Sequence, residues 1–171
     1  MLLQIIKSIF YKIRYGKRLS LGGRICFIRP RKQIHVVDGN VVLGKHFTIK
    51  KSAYFAAVGG GKLIIGNDVY FNNNCMVVAR DSITIRNHCS FGPNVIIYDH
   101  DHNFGKNGIE PGYQTSPIII DSNCWIGGNV TILRGTHIGE GCIIGAGSVI
   151  KGEIPPYSVV FSNREITIRS I

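Results

Sequence analysis

The hydrophobic pattern of the C-terminal half repeats every six residues. Isoleucine stands at positions 120, 126, 132, 138, 144 and 150, and Gly follows at 127, 139 and 145. Four residues after each isoleucine come Cys124, Val130, Thr136, Cys142, Ser148 and Ile154, a series of small or β-branched residues. A period of six fits neither the 3.6-residue helix nor an isolated alternating strand. It predicts a solenoid whose coil has three flat faces. A large aliphatic side chain fills each face from inside, a small one packs near the corner, and Gly serves the turn. Ile120 and Ile138 then stack as one column and Ile126 and Ile144 as another. One coil alone is a poor structure, whereas the stack buries a continuous core.

The same register runs backwards with two slips. Ile85, Phe91 and Ile97 make one coil, with Cys89 and Val95 in the small column; Ile65, Phe71 and Val77 make another, with Val69 and Cys75; Leu43, Ile49 and Phe55 make a third. Extra residues around Gly59-Gly60-Gly61 and around 80–84 interrupt the count as corner insertions, which solenoids tolerate. The expected architecture is all-β. It has a basic N-terminal arm at 1–37, helical or irregular, a solenoid domain at 38–160 and a tail at 161–171. Cys75, Cys89, Cys124 and Cys142 fall in the small inward column. That makes them core thiols, neither a disulfide framework nor a zinc motif; Cys26 lies outside the repeat and is assigned nothing.

Composition supports one folded domain: 171 residues, 44% apolar and 18% charged. Charge changes the picture at one end. The net charge is +10, and residues 1–37 hold nine Lys/Arg and no acid, while the remainder is nearly balanced. A nucleic-acid binder carries its charge on a coherent face with aromatics or a reading helix nearby, and no such module is visible. The arm MLLQIIKSIFYKIRYGKRL reads instead as a basic amphipathic helix, suited to weak association with an anionic membrane surface, to a neighbouring subunit, or to a solvated docked position. No run approaches the roughly 18–20 apolar residues that span a bilayer, and the start lacks a signal-peptide pattern, so the expected location is cytoplasmic, peripheral at the inner face of the membrane where the arm engages it.

The register is clean through Ile97 and resumes at Ile120. Between them, at about 98–119, a long loop rich in Gly, Asn, Asp and Pro leaves the scaffold, and its root reads Ile97-Tyr98-Asp99-His100-Asp101-His102-Asn103-Phe104. Such loops are seldom kept without a use. Three readings stand. His-x-His with adjacent Asp contributes metal ligands, although a site needs at least three converging ones and no second cluster appears. The stretch is also compatible with a polar loop whose histidines are satisfied. In the third reading a neutral imidazole, its tautomer set by a neighbouring carboxylate, accepts a hydroxyl proton as a general base.

At this point the chain resembles the hexapeptide-repeat acyltransferases, and within them the sugar O-acetyltransferases of the galactoside, maltose and surface-polysaccharide type. The likeness covers about residues 40–160. It implies a left-handed parallel β-helix, a homotrimer with active sites in clefts between subunits, acetyl-CoA as acyl donor, a carbohydrate acceptor and no metal. The family's segment N-V-x-aliphatic, followed by four residues and the catalytic histidine, matches Asn94-Val95-Ile96-Ile97 and places the base on His102, with His100 two residues earlier as its rival. The family's Val-Tyr-x-Asn-x-Asn run matches Val69-Tyr70-Phe71-Asn72-Asn73-Asn74 and puts an acceptor-site asparagine on Asn74, although an Asn corner ladder reads the same way. Trp125-Ile126-Gly127-Gly128, Gly145-Ala146-Gly147-Ser148 and Ile154-Pro155-Pro156-Tyr157 follow the family's acyl-CoA edge. The resemblance thus places the pantetheine arm along Trp125, Gly127, Gly145 and Ala146, with Lys151 and Arg164 near the CoA phosphates. One departure touches this carry-over: the family's G-x-P-A after Val159-Val160 is replaced by Ser162-Asn163-Arg164-Glu165, which alters the edge beside Arg164.

The chemistry this implies is direct transfer, with the histidine taking the acceptor's proton, backbone N–H holding the oxyanion and no covalent enzyme intermediate. Asp99 or Asp101 orients an imidazole or meets the acceptor, to which Tyr113, Lys106, Glu110 and Gln114 are further candidate contacts. Two rival functions use the same solenoid. A zinc-dependent, carbonic-anhydrase-like enzyme would need three histidines, and His88 and His137 share no motif with the 100/102 pair. A non-catalytic assembly module would need none.

Overall fold

The computed structural model describes residues 2–22, 26–27 and 33–162, with side chains from residue 9 onward except those of 26 and 27. Helix α1 (Leu2–Tyr15) and a short 3-10 turn (Gly16–Arg18) precede a stack of short parallel strands. Each coil contributes one strand to each of three faces, giving two seven-stranded parallel sheets and one six-stranded sheet among the described residues. The columns expected from the six-residue period are present in register. Leu43, Ile65, Ile85, Ile120 and Ile138 pair in succession on one face. Ile49, Phe71, Phe91, Ile126 and Ile144 do so on the second, and Phe55, Val77, Ile97, Ile132 and Ile150 on the third.

The ladder also begins earlier than the repeat reading starts. Leu19–Leu21 pairs with Val41–Leu43, Cys26–Phe27 with Thr48–Ile49, and Ile34–Val36 with Phe55–Ala57. Three strands of a further coil therefore lie within 1–37, preceded by α1 and the 3-10 turn. At the other end Ile154 is displaced from the small column in which the spacing put it. It pairs with Ile138 and so belongs to a large column, because the corner at Gly152, with φ +89°, shortens that coil.

Two corner columns explain how the strands turn. His46, Asp68, His88, Asn123 and Gly141 occupy one, and Ser52, Asn74, Asn94, Asn129 and Gly147 the other, all at φ between 55° and 74°. In this left-handed region Asn and Asp are tolerated far better than bulky residues. From Asp68 and Asn74 onward each of these corner residues sends its backbone N–H to a carbonyl of the preceding coil, as from Asn94 to Asn73 and from Asn123 to Asn87, so the corners stack as regularly as the strands. The glycine after the inward isoleucine has another cause: a Cβ on Gly127 would lie 2.6 Å from the backbone nitrogen of Ala146.

The core is one continuous column of buried residues from Tyr11 to Ile150. Phe71 is central to it, with its ring edge-on to Phe55 at 4.8 Å and stacked on Phe91 at 4.1 Å. The small inward side chains satisfy corner carbonyls. Cys75, Cys89, Cys124 and Cys142 reach the carbonyls of Gly92, Asp121, Gly139 and Pro155 at 3.1–3.2 Å, and Ser148 bonds Gly145 at 2.8 Å. Burial pushes the Cys75 thiol up, and a hydrogen bond with Cys124 together with burial pushes Cys89 up; the four are buried free thiols of the core.

Truncating the stacked ring opens a cavity in a column that cannot collapse without breaking register. Phe71→Ala is expected to cost ~3–5 kcal/mol, read as a lowered denaturation midpoint; a loss under ~1 kcal/mol would show that the column repacks freely.

Candidate active site

The chain between Ile97 and Ile118 leaves the solenoid as an ordered β-hairpin, not an irregular loop. Its strands, His100–Gly105 and Gly108–Thr115, pair antiparallel with a bulge between His102 and Asn103. The chain on each side is already in the ladder, Ile96–Tyr98 against Met76–Val78 and Ile118–Ile120 against Ile83–Ile85. The root of the hairpin is therefore held on both sides while its strands stand exposed.

Asp99 fixes that root. Its side chain is fully buried, yet its carboxylate is well served. It accepts the backbone N–H of Arg80 at 2.9 and 3.0 Å and of Asp81 at 2.8 Å, both from the corner of the preceding coil. Its Oδ1 lies 3.0 Å from Nδ1 of His100. An Nδ1–H donated to that oxygen leaves the His100 Nε2 lone pair free. The His100 side chain is only 15% exposed, enclosed by Tyr98 at 5.9 Å and Tyr113 at 5.6 Å between ring centroids.

His102 is placed differently. It is exposed and lies 4.8 Å, centroid to centroid, from the ring of Tyr113 on the opposing strand. Tyr113 is therefore shared by both histidines, and its ring also carries the Arg80 guanidinium, with Cζ 3.6 Å from the ring centroid. Asp101 does not contact an imidazole among the described residues. It pairs with Arg134 at 2.6 Å, and the same guanidinium donates to Gln114 at 2.8 Å. Arg134, from the coil after the hairpin, thus holds both hairpin strands. Neither Arg80 nor Arg134 stands out in the sequence, since each meets its partners only through the fold.

Asn74 belongs to a corner column. Its carboxamide donates to Asn94 at 3.2 Å, and that of Asn94 to Asn129 at 3.0 Å. The residues read as an acyl-CoA edge lie in the coils beyond the hairpin. Trp125 points outward, 58% exposed, in register with Ile143, which is in register with Val159, so an apolar strip runs down that outer face. Gly127, Gly145 and Ala146 form the adjoining corner, where coil-to-coil contact already requires small residues. Lys151 is exposed, and Arg164 lies outside the described residues. His88 stands by Asp68, and His137 bridges Asp121 and Glu153 at 3.0 Å each, both away from the 100/102 pair. Among the described residues no group of three or more His, Cys, Asp or Glu side chains is arranged to hold a metal ion.

Known proteins resemble this arrangement. Residues 117–152 match the family described as bacterial transferase hexapeptide (six repeats). The putative lipopolysaccharide biosynthesis O-acetyl transferase WbbJ of Escherichia coli K12 is 32% identical over 145 residues, 79% of this chain and 70% of that protein. The galactoside O-acetyltransferase of Lactococcus lactis is 34% identical over 119 residues, 69% of this chain, although the match spans only 58% of that longer protein. Among solved structures, the hexapeptide-repeat acetyltransferase VCA0836 of Vibrio cholerae complexed with acetyl coenzyme A superposes with a TM-score of 0.63 at 24% identity, over 91% of this chain and 73% of that one, a likeness of fold. The six-residue period, the three-sided parallel coil and a relative of this identity and coverage agree, and the chain belongs to the hexapeptide-repeat acetyltransferases, enzymes built on a left-handed parallel β-helix.

Proposed function

We propose that the protein is an acetyl-CoA-dependent O-acetyltransferase acting on a sugar hydroxyl, in the assembly of a surface or capsular polysaccharide, with His102 as general base. The observation that supports it is the pair of imidazoles at the hairpin root: one is tied to buried Asp99, while the other stands accessible against Tyr113. The reading also draws on two relatives, one described for lipopolysaccharide biosynthesis and one for galactoside acetylation.

An acceptor must reach the base. His102 is exposed, whereas His100 is enclosed and committed to Asp99. In this division of labour Asp99 and His100 lock the root, Tyr113 sets the ring plane of His102, and Arg134 holds the two strands together. His102 Nε2 or Nδ1 takes the hydroxyl proton as the sugar oxygen bonds to the thioester carbon. The C–S bond then breaks, and the imidazolium returns the proton to the departing thiolate. Asn74, Asp101 and Tyr113 stand as acceptor-side positions. The strip of Trp125 and the corner of Gly127, Gly145 and Ala146 offer the donor an apolar outer face and exposed backbone, with Lys151 and Arg164 toward its phosphates. A homotrimer follows the same reading: Trp125, Ile143 and Val159 are outward apolar residues that suit a subunit cleft. So does a cytoplasmic location, where acetyl-CoA is available, with the N-terminal arm toward the membrane.

Thiol release from acetyl-CoA, measured against a panel of mono- and disaccharides, tests both the activity and the base. His102→Ala is expected to lower kcat by roughly 10²–10⁴-fold, and His100→Ala to lower it less, since it only loosens the root. Loss confined to His100→Ala would reassign the base to the Asp99-paired imidazole. No release with any sugar, combined with no calorimetric binding of acetyl-CoA, would overturn the transferase reading. Arg134→Ala is expected to cost on the order of tenfold in kcat/KM by misplacing the hairpin, while this largely surface pair contributes only about 1 kcal/mol to stability. Unchanged kinetics in that variant would remove Arg134 from the positioning role.

A further inference from the structure

Helix α1 has two apolar faces, and the solenoid uses one of them. Tyr11 is buried in the core column with Leu19 and Ile34, and the Tyr15 hydroxyl donates to the Ile34 carbonyl at 2.8 Å. These contacts seat the helix on the first coil. At about 100° per residue, Ile9, Phe10 and Ile13 fall within a single arc on the side away from Tyr11 and Tyr15. They are 52%, 55% and 79% exposed.

Cations follow the stripe at the C-terminal end of the helix. Arg14, Lys17 and Arg18, with Tyr15 and Val36, line an open cleft of about 570 Å³ where the helix meets the coil. Arg18 is anchored there through the Val37 carbonyl at 2.6 Å, and Lys12, earlier on the helix, donates to the Leu19 carbonyl at 2.7 Å. Residues 1–37 hold nine Lys/Arg and no acid, against eleven Lys/Arg and ten acids in the remainder. The excess positive charge thus falls in the part of the sequence that includes the exposed apolar stripe.

From this we infer that α1 is a docking surface for an anionic lipid bilayer. Ile9, Phe10 and Ile13 enter the interface, and Arg14, Lys17 and Arg18 hold lipid phosphates at its rim. Apolar stripe and basic rim are the two components of interfacial helix binding, and each basic residue near an anionic surface adds to the attraction. A second copy related by a two-fold axis would cover the apolar stripe equally well, but it would bring its own cations against these, since the segment contains no acid to pair with them. The inference does not depend on the acetyl-transfer reading.

Co-sedimentation of the full chain with vesicles tests it. Binding to vesicles containing roughly one third phosphatidylglycerol is expected to exceed binding to pure phosphatidylcholine by at least about tenfold and to fall with added salt. The double variant Phe10→Asp/Ile13→Asp alters only exposed side chains and should abolish binding to both vesicle types without lowering Tm. Arg14→Glu/Lys17→Glu should remove the preference for phosphatidylglycerol. Equal partition to both vesicle types, or none to either, would overturn the inference. So would a Phe10→Asp/Ile13→Asp variant that still binds vesicles but changes the oligomeric mass in sedimentation velocity, which would identify a second copy as the occupant. Capture of inorganic phosphate without vesicle binding would likewise overturn it.

Discussion

The solenoid interior is one side chain deep on each face, and the rest of the molecule follows from that limit. Every coil must offer the same large and small inward residues at the same places. Otherwise the column above and below loses contact, and close packing penalises even one methylene of mismatch. Corners are constrained as well, because the left-handed corner residues from Asp68 and Asn74 onward donate their N–H to the coil before them. Extra chain therefore has one kind of exit, outward at a corner. The hairpin at residues 100–115 takes that exit, and its root inherits the rigidity of the two coils that flank it.

Asp99 turns that rigidity into a site. A buried carboxylate is costly unless it is hydrogen-bonded, and the corner N–H groups of Arg80 and Asp81 meet that need from outside the hairpin. Its remaining capacity goes to His100. The first residues of the hairpin are thus bonded to the previous coil through Asp99 and to the following coil through Asp101 and Arg134. A positioned imidazole on an otherwise exposed hairpin is the expected result of such two-sided support.

The period of six made the columns legible, because it matches neither helix nor flat strand and each column has its own residue type. It misplaced Ile154, since a glycine-mediated shortening at Gly152 leaves no mark in residue type. The repeat reading began too late in the chain because the coil at 19–36 lacks the isoleucine spacing, although its strands pair normally. The hairpin's sequence predicts a loop because its strands are polar, with Gly and Pro among them, and alternate no buried face; strand pairing and distant arginines hold it instead. Asp99 and the two histidines stood out by chemistry. Arg134 and Arg80 did not, because their partners are distant in sequence and a lone arginine carries no spacing signal. Asn74 shows a different limit: a corner ladder and an acceptor contact ask for the same residue, and sequence cannot separate them.

The two ends of the stack differ in what they ask of the chain. A helix that only closes the first coil, shielding its ladder edge from pairing with other strands, needs one apolar face, and Tyr11 and Tyr15 supply it. Ile9, Phe10 and Ile13 each leave more than half of their surface outside that closure, and exposed apolar residues carry a cost in solubility. Their presence beside the uncompensated cations therefore calls for a cause outside the solenoid. The hairpin root lies three coil steps from the capped end, about 14 Å at the usual strand spacing. A surface bound at the outer face of α1 would lie roughly a further 10 Å away, the diameter of the helix.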